Sequence, residues 1–351
     1  MNRKNNGIEL YRIVLMYMIC VFHVIGIGGV IENTSTPFSH SGMMALRSLC
    51  VGAVDGYALI SGYFSSYKKE TNYEKIIRYW IAAFFYSFGI AAGINVIHFF
   101  TNYASYLGLE NTLQSLFPIS YGGWYFREYF AVFFITPFIN KSLGMIEKKD
   151  CAKLFFLLMI VFSFGSMINE QWFSQGYSAL WLLTLYIIGG LLNKSELFSN
   201  ISKTNLVLAY FFFCFLTWFI GEIIGFKAWG TYTSPSVLMS AISLLVLFSR
   251  INIQSKIVPF VSSLTFGIYL FHTDRFIRMF FIEGFFTFIN NYPFLLSLLM
   301  IFGIALLIFV ISAVIEYLRI ILFRYLHIDK LSNVIYIIIK RTISYISERI
   351  Y

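Results

Sequence analysis

Long apolar runs separated by short polar or Gly/Pro-containing stretches dominate this chain. The runs cover about residues 8–30, 41–66, 74–100, 123–140, 153–169, 177–193, 204–224, 234–249, 257–273 and 294–320. A helix crossing the hydrocarbon core needs roughly 20 mostly apolar residues, and each run approaches that length. The connections alternate in charge. Arg3 and Lys4 precede the first run, whereas ENTSTPFSH after it has neither Lys nor Arg. The next connection carries Lys68, Lys69 and Lys75, and the long stretch from Thr101 to Gly123 carries none. Lys141, Lys148, Lys149 and Lys153 follow, then none in NEQWFSQG, then Lys194 and Lys203, a single Lys227, and finally Arg250 and Lys256. Cationic loops stay on the cytoplasmic side. The pattern therefore predicts an all-α integral membrane protein, a bundle of about ten transmembrane helices with cytoplasmic N- and C-termini. Arg275 and Arg278 fall on the outer side, and RMFFIEGFFTFIN is expected to lie in the interface or re-enter the bundle rather than span. Residues 328–351, with Lys330, Lys340, Arg341 and Arg349 among Ile and Tyr, read as an amphipathic helix on the cytoplasmic leaflet. The expected division is a membrane domain over 1–327 and this interfacial tail.

Composition agrees with that reading. Of the 351 residues 58% are apolar, 20% aromatic and only 12% charged, with a mean hydropathy of +0.73, outside the range of ordinary soluble domains. The net charge of +9 is the positive-inside signature rather than a nucleic-acid footprint, so membrane lipids are expected as partners and nucleic acid is not. Cys20, Cys50, Cys151 and Cys214 show no metal-ligand or disulfide spacing, and no metal is expected. The first run is too long for a signal-peptide core and reads as a retained anchor. The expected location is the plasma membrane, crossed many times.

Against that apolar background the polar residues stand out, because each is costly in a bilayer. Arg12 and His23 are 11 residues apart, hence within roughly 20° on one helix face and about 16 Å apart along it. That face would carry a cation at the cytoplasmic mouth and an imidazole deep inside. Each residue taken alone has a plainer reading: Arg12 snorkelling to headgroups or pairing with Glu9, and His23 bonded to a neighbouring helix. Asp55 lies near the middle of the second run, at a depth similar to His23, and is the candidate to orient the imidazole; a structural Asp bonded to hydroxyls is the alternative. Ser61-Gly62 suits close packing of helices or of a thin ligand. Lys75 and Arg78 share a face at the same mouth as Arg12, where three cations would suit a polyphosphate as well as they mark topology. In YGGWYFREYFAVFFITPF, Trp124 lies at the outer interface and the pair Arg127–Glu128 just within it. His272, Asp274, Arg275 and Arg278 close the ninth run, facing either an acceptor or outer headgroups.

Arg-x10-His, VDGYALISGYF, K-x-x-R, WYF…Y…TPF and FGIYLFH, in this order, resemble the membrane acyltransferase 3 family over nearly the whole chain. The resemblance implies a ten-helix protein that moves an acyl group, usually acetyl, from cytoplasmic acyl-CoA to an acceptor across the membrane, often a sugar of a surface polysaccharide or its lipid-linked precursor. It also implies that Arg12 and His23 are the essential pair and that Lys75 and Arg78 meet the donor. Lys75 stands where the family has Arg, which keeps the charge but loses the bidentate fork. No hydrolase-like external domain is expected after the tenth run. The site expected on these grounds has His23 as general base and Asp55 orienting it. Arg12, Lys75, Arg78 and Ser61 hold acetyl-CoA, and Trp124, Glu128 and His272 face the acceptor. The competing function is a transporter or flippase of a lipid-linked saccharide, which also needs intramembrane charge.

Overall fold

A computed structural model describes residues 6–65, 73–101, 107–121, 123–168 and 172–350. Arg3, Lys4, Lys68 and Lys69, which entered the charge pattern, lie outside the described residues. In chain order the helices are α1 Asn6–Ile25, α2 Pro37–Cys50, α3 Ala53–Ser65, α4 Tyr73–Thr101, α5 Gly108–Gln114, α6 Pro118–Tyr121, α7 Trp124–Met145, α8 Lys148–Leu158 and α9 Gly165–Ile168. They continue as α10 Ala179–Ser195, α11 Lys203–Ile224, α12 Phe226–Trp229, α13 Pro235–Ser249, α14 Ile257–His272, α15 Arg275–Phe281, α16 Phe294–Tyr325 and α17 Ile328–Ile350. Among the described residues there is no strand.

Among the described residues six stretches are long and apolar enough to cross a membrane: Asn6–Ile25, Pro37–Phe64, Tyr73–Thr101, Lys148–Ile168, Lys203–Ile224 and Phe294–Tyr325. Three of the remaining expected spans fall on the shorter apolar helices α10, α13 and α14, and the fourth on α7, which carries Pro137 inside it. The difference between long and short follows position. In the most apolar window of α11 only 17% is buried, and in that of α16 only 22%; these outer helices turn side chains such as Phe212, Leu295 and Leu307 away from the protein. Such a continuous apolar exterior is what lipid requires and what water would not tolerate. By contrast α13 is enclosed along most of its length, from Pro235 to Val246. Protein rather than lipid surrounds it.

Local rules set the helix ends. Thr36 accepts from the Ser39 N–H at 3.1 Å with Pro37 beginning α2, Ser202 caps α11 through Asn205, and Asp274 accepts from Phe276 and Ile277 to open α15. Small residues set the packing. A Cβ on Gly62 would lie 1.8 Å from the Tyr186 carbonyl oxygen, and one on Gly189 2.2 Å from that of Leu59. Helices α3 and α10 thus meet backbone to backbone, as small residues in membrane helices allow. The expected second span is broken into α2 and α3 at Val51–Gly52, where Gly52 comes against Ser240 on α13. This break puts Asp55 in the first turn of α3, at the positive end of the helix dipole.

The segment after α14 does not span. It forms the seven-residue α15 and a 3₁₀ turn at Thr287–Asn291. Gly284 and Phe286 donate their N–H groups to the carbonyls of Ile27 and Gly28, both at 3.0 Å, so the segment closes over the C-terminal end of α1.

Candidate active site

One cavity of about 1170 Å³ takes its lining from α1, α3, α4, α7, α14, α16 and the start of α17. Arg12, His23, Ser61, Lys75, Arg78, Trp124 and His272 all border it. Arg12, Lys75, Arg78 and Arg324 border it together with Glu9 and Asp329, whereas His23, His272, Trp124 and Tyr232 border it together with Arg275 and Arg278. The helical spacing of Arg12 and His23, about 16 Å, is the measure of its depth between them.

At the inner end two imidazoles meet. His272 Nε2 lies 3.1 Å from His23 Nδ1, with ring centroids 5.1 Å apart. The other nitrogen of His272, Nδ1, lies 2.6 Å from the Ile268 carbonyl oxygen. A carbonyl only accepts, so His272 Nδ1 carries the hydrogen, and in the neutral ring Nε2 is a bare acceptor. His23 must then donate from Nδ1. The consequence is that neutral His23 keeps its Nε2 lone pair free of a proton, the state a general base requires. The reach of α14, whose last residue is His272, creates this arrangement.

The basic end is less bare than its charges suggest. Arg12 Nη1 lies 3.0 Å from both Glu9 carboxylate oxygens, and Glu9 also accepts from Ser262. Arg78 bonds Glu74 and, at 3.1 Å, Asp329 at the start of α17. Lys75 Nζ stands 5.3 Å from the Tyr79 ring centroid. Arginine forks held by carboxylates at an open rim are already oriented, and a phosphate can take over the carboxylates' place.

Two expected site residues lie elsewhere. Asp55 is fully buried, but its Oδ1 accepts from Trp181 Nε1 at 3.2 Å, and it does not border the cavity. The hydrogen-bond partner of His23 is His272 instead. Equal depth in two helices leaves the azimuth open, and α3 turns Asp55 toward α10. Glu128 also stays out of the cavity. Its Oε1 accepts from Arg127 Nε at 3.0 Å and its Oε2 from the Ala179 N–H at 3.1 Å, so it neutralises the N-terminus of α10. Ser61 borders the cavity while donating to the Tyr57 carbonyl at 3.0 Å. Trp124 sits in a ring cluster, 4.6 Å from Tyr177 and 5.7 Å from Tyr232 between centroids.

One cavity-lining pair escaped the sequence reading. Glu316 and Arg319 of α16 form a bidentate ion pair with contacts of 2.7 and 2.6 Å, side chains 3% and 11% exposed. Tyr86 donates to the same carboxylate at 2.7 Å. A Cβ on Gly267 would lie 2.0 Å from the Glu316 carboxyl, so the glycine of FGIY makes room for the acid. The signal was present: a Glu and an Arg three apart inside an otherwise apolar run.

Set against known proteins, residues 5–317 match a family described as an acyltransferase domain. No curated protein and no solved structure matches the chain. No group of three or more His, Cys, Asp or Glu side chains is placed to hold a metal among the described residues. The match takes in α1 through most of α16, and with it the histidine pair and the cavity lining other than the end of α16 and the start of α17. This chain is therefore a member of the acyltransferase 3 family, and its chemistry is acyl transfer.

Proposed function

We propose that the protein transfers an acyl group, acetyl by family default, from cytoplasmic acyl-CoA to a hydroxyl of a surface polysaccharide or its lipid-linked precursor. The observation that carries the proposal is a single cavity bordered both by the cations Arg12, Lys75 and Arg78 and by an oriented histidine. Coenzyme A has the matching form, a polyanionic nucleotide on a long thin arm with the thioester at its tip. Arg12, Lys75 and Arg78 receive the phosphates, and the arm brings the thioester to His23.

In the reaction His23 Nε2 takes the proton of the acceptor hydroxyl while the oxygen attacks the thioester carbonyl carbon. The tetrahedral intermediate collapses with cleavage of the C–S bond. The thiolate leaves and recovers the proton from His23 Nε2, which gives the ester and free coenzyme A. In this scheme His272 takes the orienting part that the sequence suggested for Asp55, because its Nε2 accepts the His23 Nδ1 hydrogen in both states.

The test uses purified protein in nanodiscs with labelled acetyl-CoA and a lipid-linked saccharide fraction. Acyl transfer by the wild type and its loss by about 10²-fold or more in His23→Ala are expected. Wild-type rates in His23→Ala would falsify the scheme, and a kinetically competent acyl-His23 trapped without acceptor would replace direct attack by a two-step route. A transporter or flippase would leave the thioester intact.

A further inference from the structure

Beside the main cavity, behind Phe22, Tyr177 and Tyr232, lies a second pocket of about 380 Å³ that shares these three rings as a wall. Arg47, in the last turn of α2, points into it. The guanidinium carbon stands 5.6 Å from the Phe22 ring centroid and 5.7 Å from that of Phe226. Its Nη1 is buried and has no hydrogen-bond partner. A Cβ on Gly230 would lie 2.7 Å from that same nitrogen, so the backbone after α12 closes directly over it. No carboxylate lies within ion-pair distance of Arg47 among the described residues. Glu32 and Lys227 border the same pocket, and both are exposed.

A guanidinium cannot shed its proton, and although Arg47 as a whole is half-buried, a buried Nη1–H left without an acceptor is unfavourable. Packing alone would be served better by Met or Leu. Two aromatic rings hold the fork in place, and a bidentate oxyanion is the ligand it fits. On the other side of the shared wall, Trp124, Tyr177 and Tyr232 form a cluster of mutually packed rings that lines the cavity containing His23.

Resting on the acceptor reading above, we infer that Arg47 binds an oxyanion carried by the acceptor saccharide while the aromatic wall stacks a sugar ring with its hydroxyl toward His23. The acceptor is thus an acidic glycan segment. The oxyanion is either a carboxylate of a uronic-type sugar or the phosphate that joins a saccharide to its lipid.

The experiment measures acyl transfer in nanodiscs to the lipid-linked saccharide fraction of the expressing cell. Arg47→Met is expected to raise the acceptor KM by about 10- to 100-fold, with the acyl-CoA KM as internal reference, and Arg47→Lys to recover part of the loss. Carboxyl reduction of the fraction, or mild-acid cleavage of its lipid phosphate, identifies the source: the treatment that abolishes the difference between wild type and Arg47→Met removes the recognised group. An acceptor KM in Arg47→Met equal to that of the wild type overturns the inference, as does a difference that survives both treatments. If Arg47→Met does not fold, Arg47→Lys and Gly230→Ala, which crowds Nη1, carry the same comparison. Absence of transfer by the wild type defeats the acceptor reading itself and this inference with it.

Discussion

At the scale of single residues, the decisive feature is which nitrogen of which histidine holds a hydrogen. The Ile268 carbonyl imposes a tautomer on His272, and His272 imposes one on His23. Glutamine in place of His272 still offers a carbonyl oxygen to His23 Nδ1, whereas leucine leaves that donor buried and unpaired. Single-turnover rates with labelled acetyl-CoA are therefore expected to fall about 10²-fold in His272→Leu and clearly less in His272→Gln. Equal losses in the two variants would remove the relay. Arg12 is tied to Glu9 at the opposite end of the cavity, so Arg12→Ala is expected to act on donor binding. Its acyl-CoA KM rises about 10-fold or more, with a smaller change in kcat. Arg12 and His23 were legible in the sequence because charge in an apolar run is conspicuous. His272 was visible too, but only as a residue facing the acceptor; its partnership with a side chain 249 positions away has no local signature.

At the scale of elements, the contact between α3 and α10 holds the inner bundle together, and glycine makes it possible. Gly62→Ala forces a methyl into the Tyr186 carbonyl, and a loss of about 1–3 kcal/mol is expected from overpacking, read as a lowered midpoint of thermal unfolding in detergent. Gly303→Ala in α16 meets nothing within 4 Å and is the control: it is expected to be neutral or slightly stabilising through helix propensity. Similar shifts in both variants would show that close packing is not the cause. The apolar runs foretold where helices lie, and Ser61-Gly62 foretold a close approach. The break between α2 and α3 was not legible, since it answers to α13 and not to the residues around Val51–Gly52 alone. Glu128 illustrates the same limit. Its charge was evident, yet its use as a cap for α10 depends on where a helix 51 residues later begins.

For the molecule as a whole, the proposed mechanism requires the basic end of the cavity to face the cytoplasm. The four cysteines are buried, so introduced cysteines can be read against a low background. Lys227→Cys, beside the aromatic end, is expected to react with a membrane-impermeant maleimide on intact cells. Lys330→Cys, on α17 at the basic end, is expected to react only after permeabilisation. The reverse pattern would place acyl-CoA on the wrong side of its binding cations and end the proposal. The start of α17 reaches this rim through the Asp329–Arg78 pair, which ties α17 to the basic end of the cavity.

The sequence by itself determined which stretches prefer lipid, how loop charge alternates, and that a few polar groups sit where the bilayer penalises them. Transfer free energies add up along a chain, so these properties can be summed residue by residue. Only the tertiary structure decided that His23 faces His272, that Asp55 turns to Trp181, that Glu316 and Arg319 neutralise each other, and that Arg47 waits behind an aromatic wall. Those pairings depend on the rotation of each helix about its axis. That rotation is set by packing against neighbours remote in sequence, and hydropathy carries no record of it.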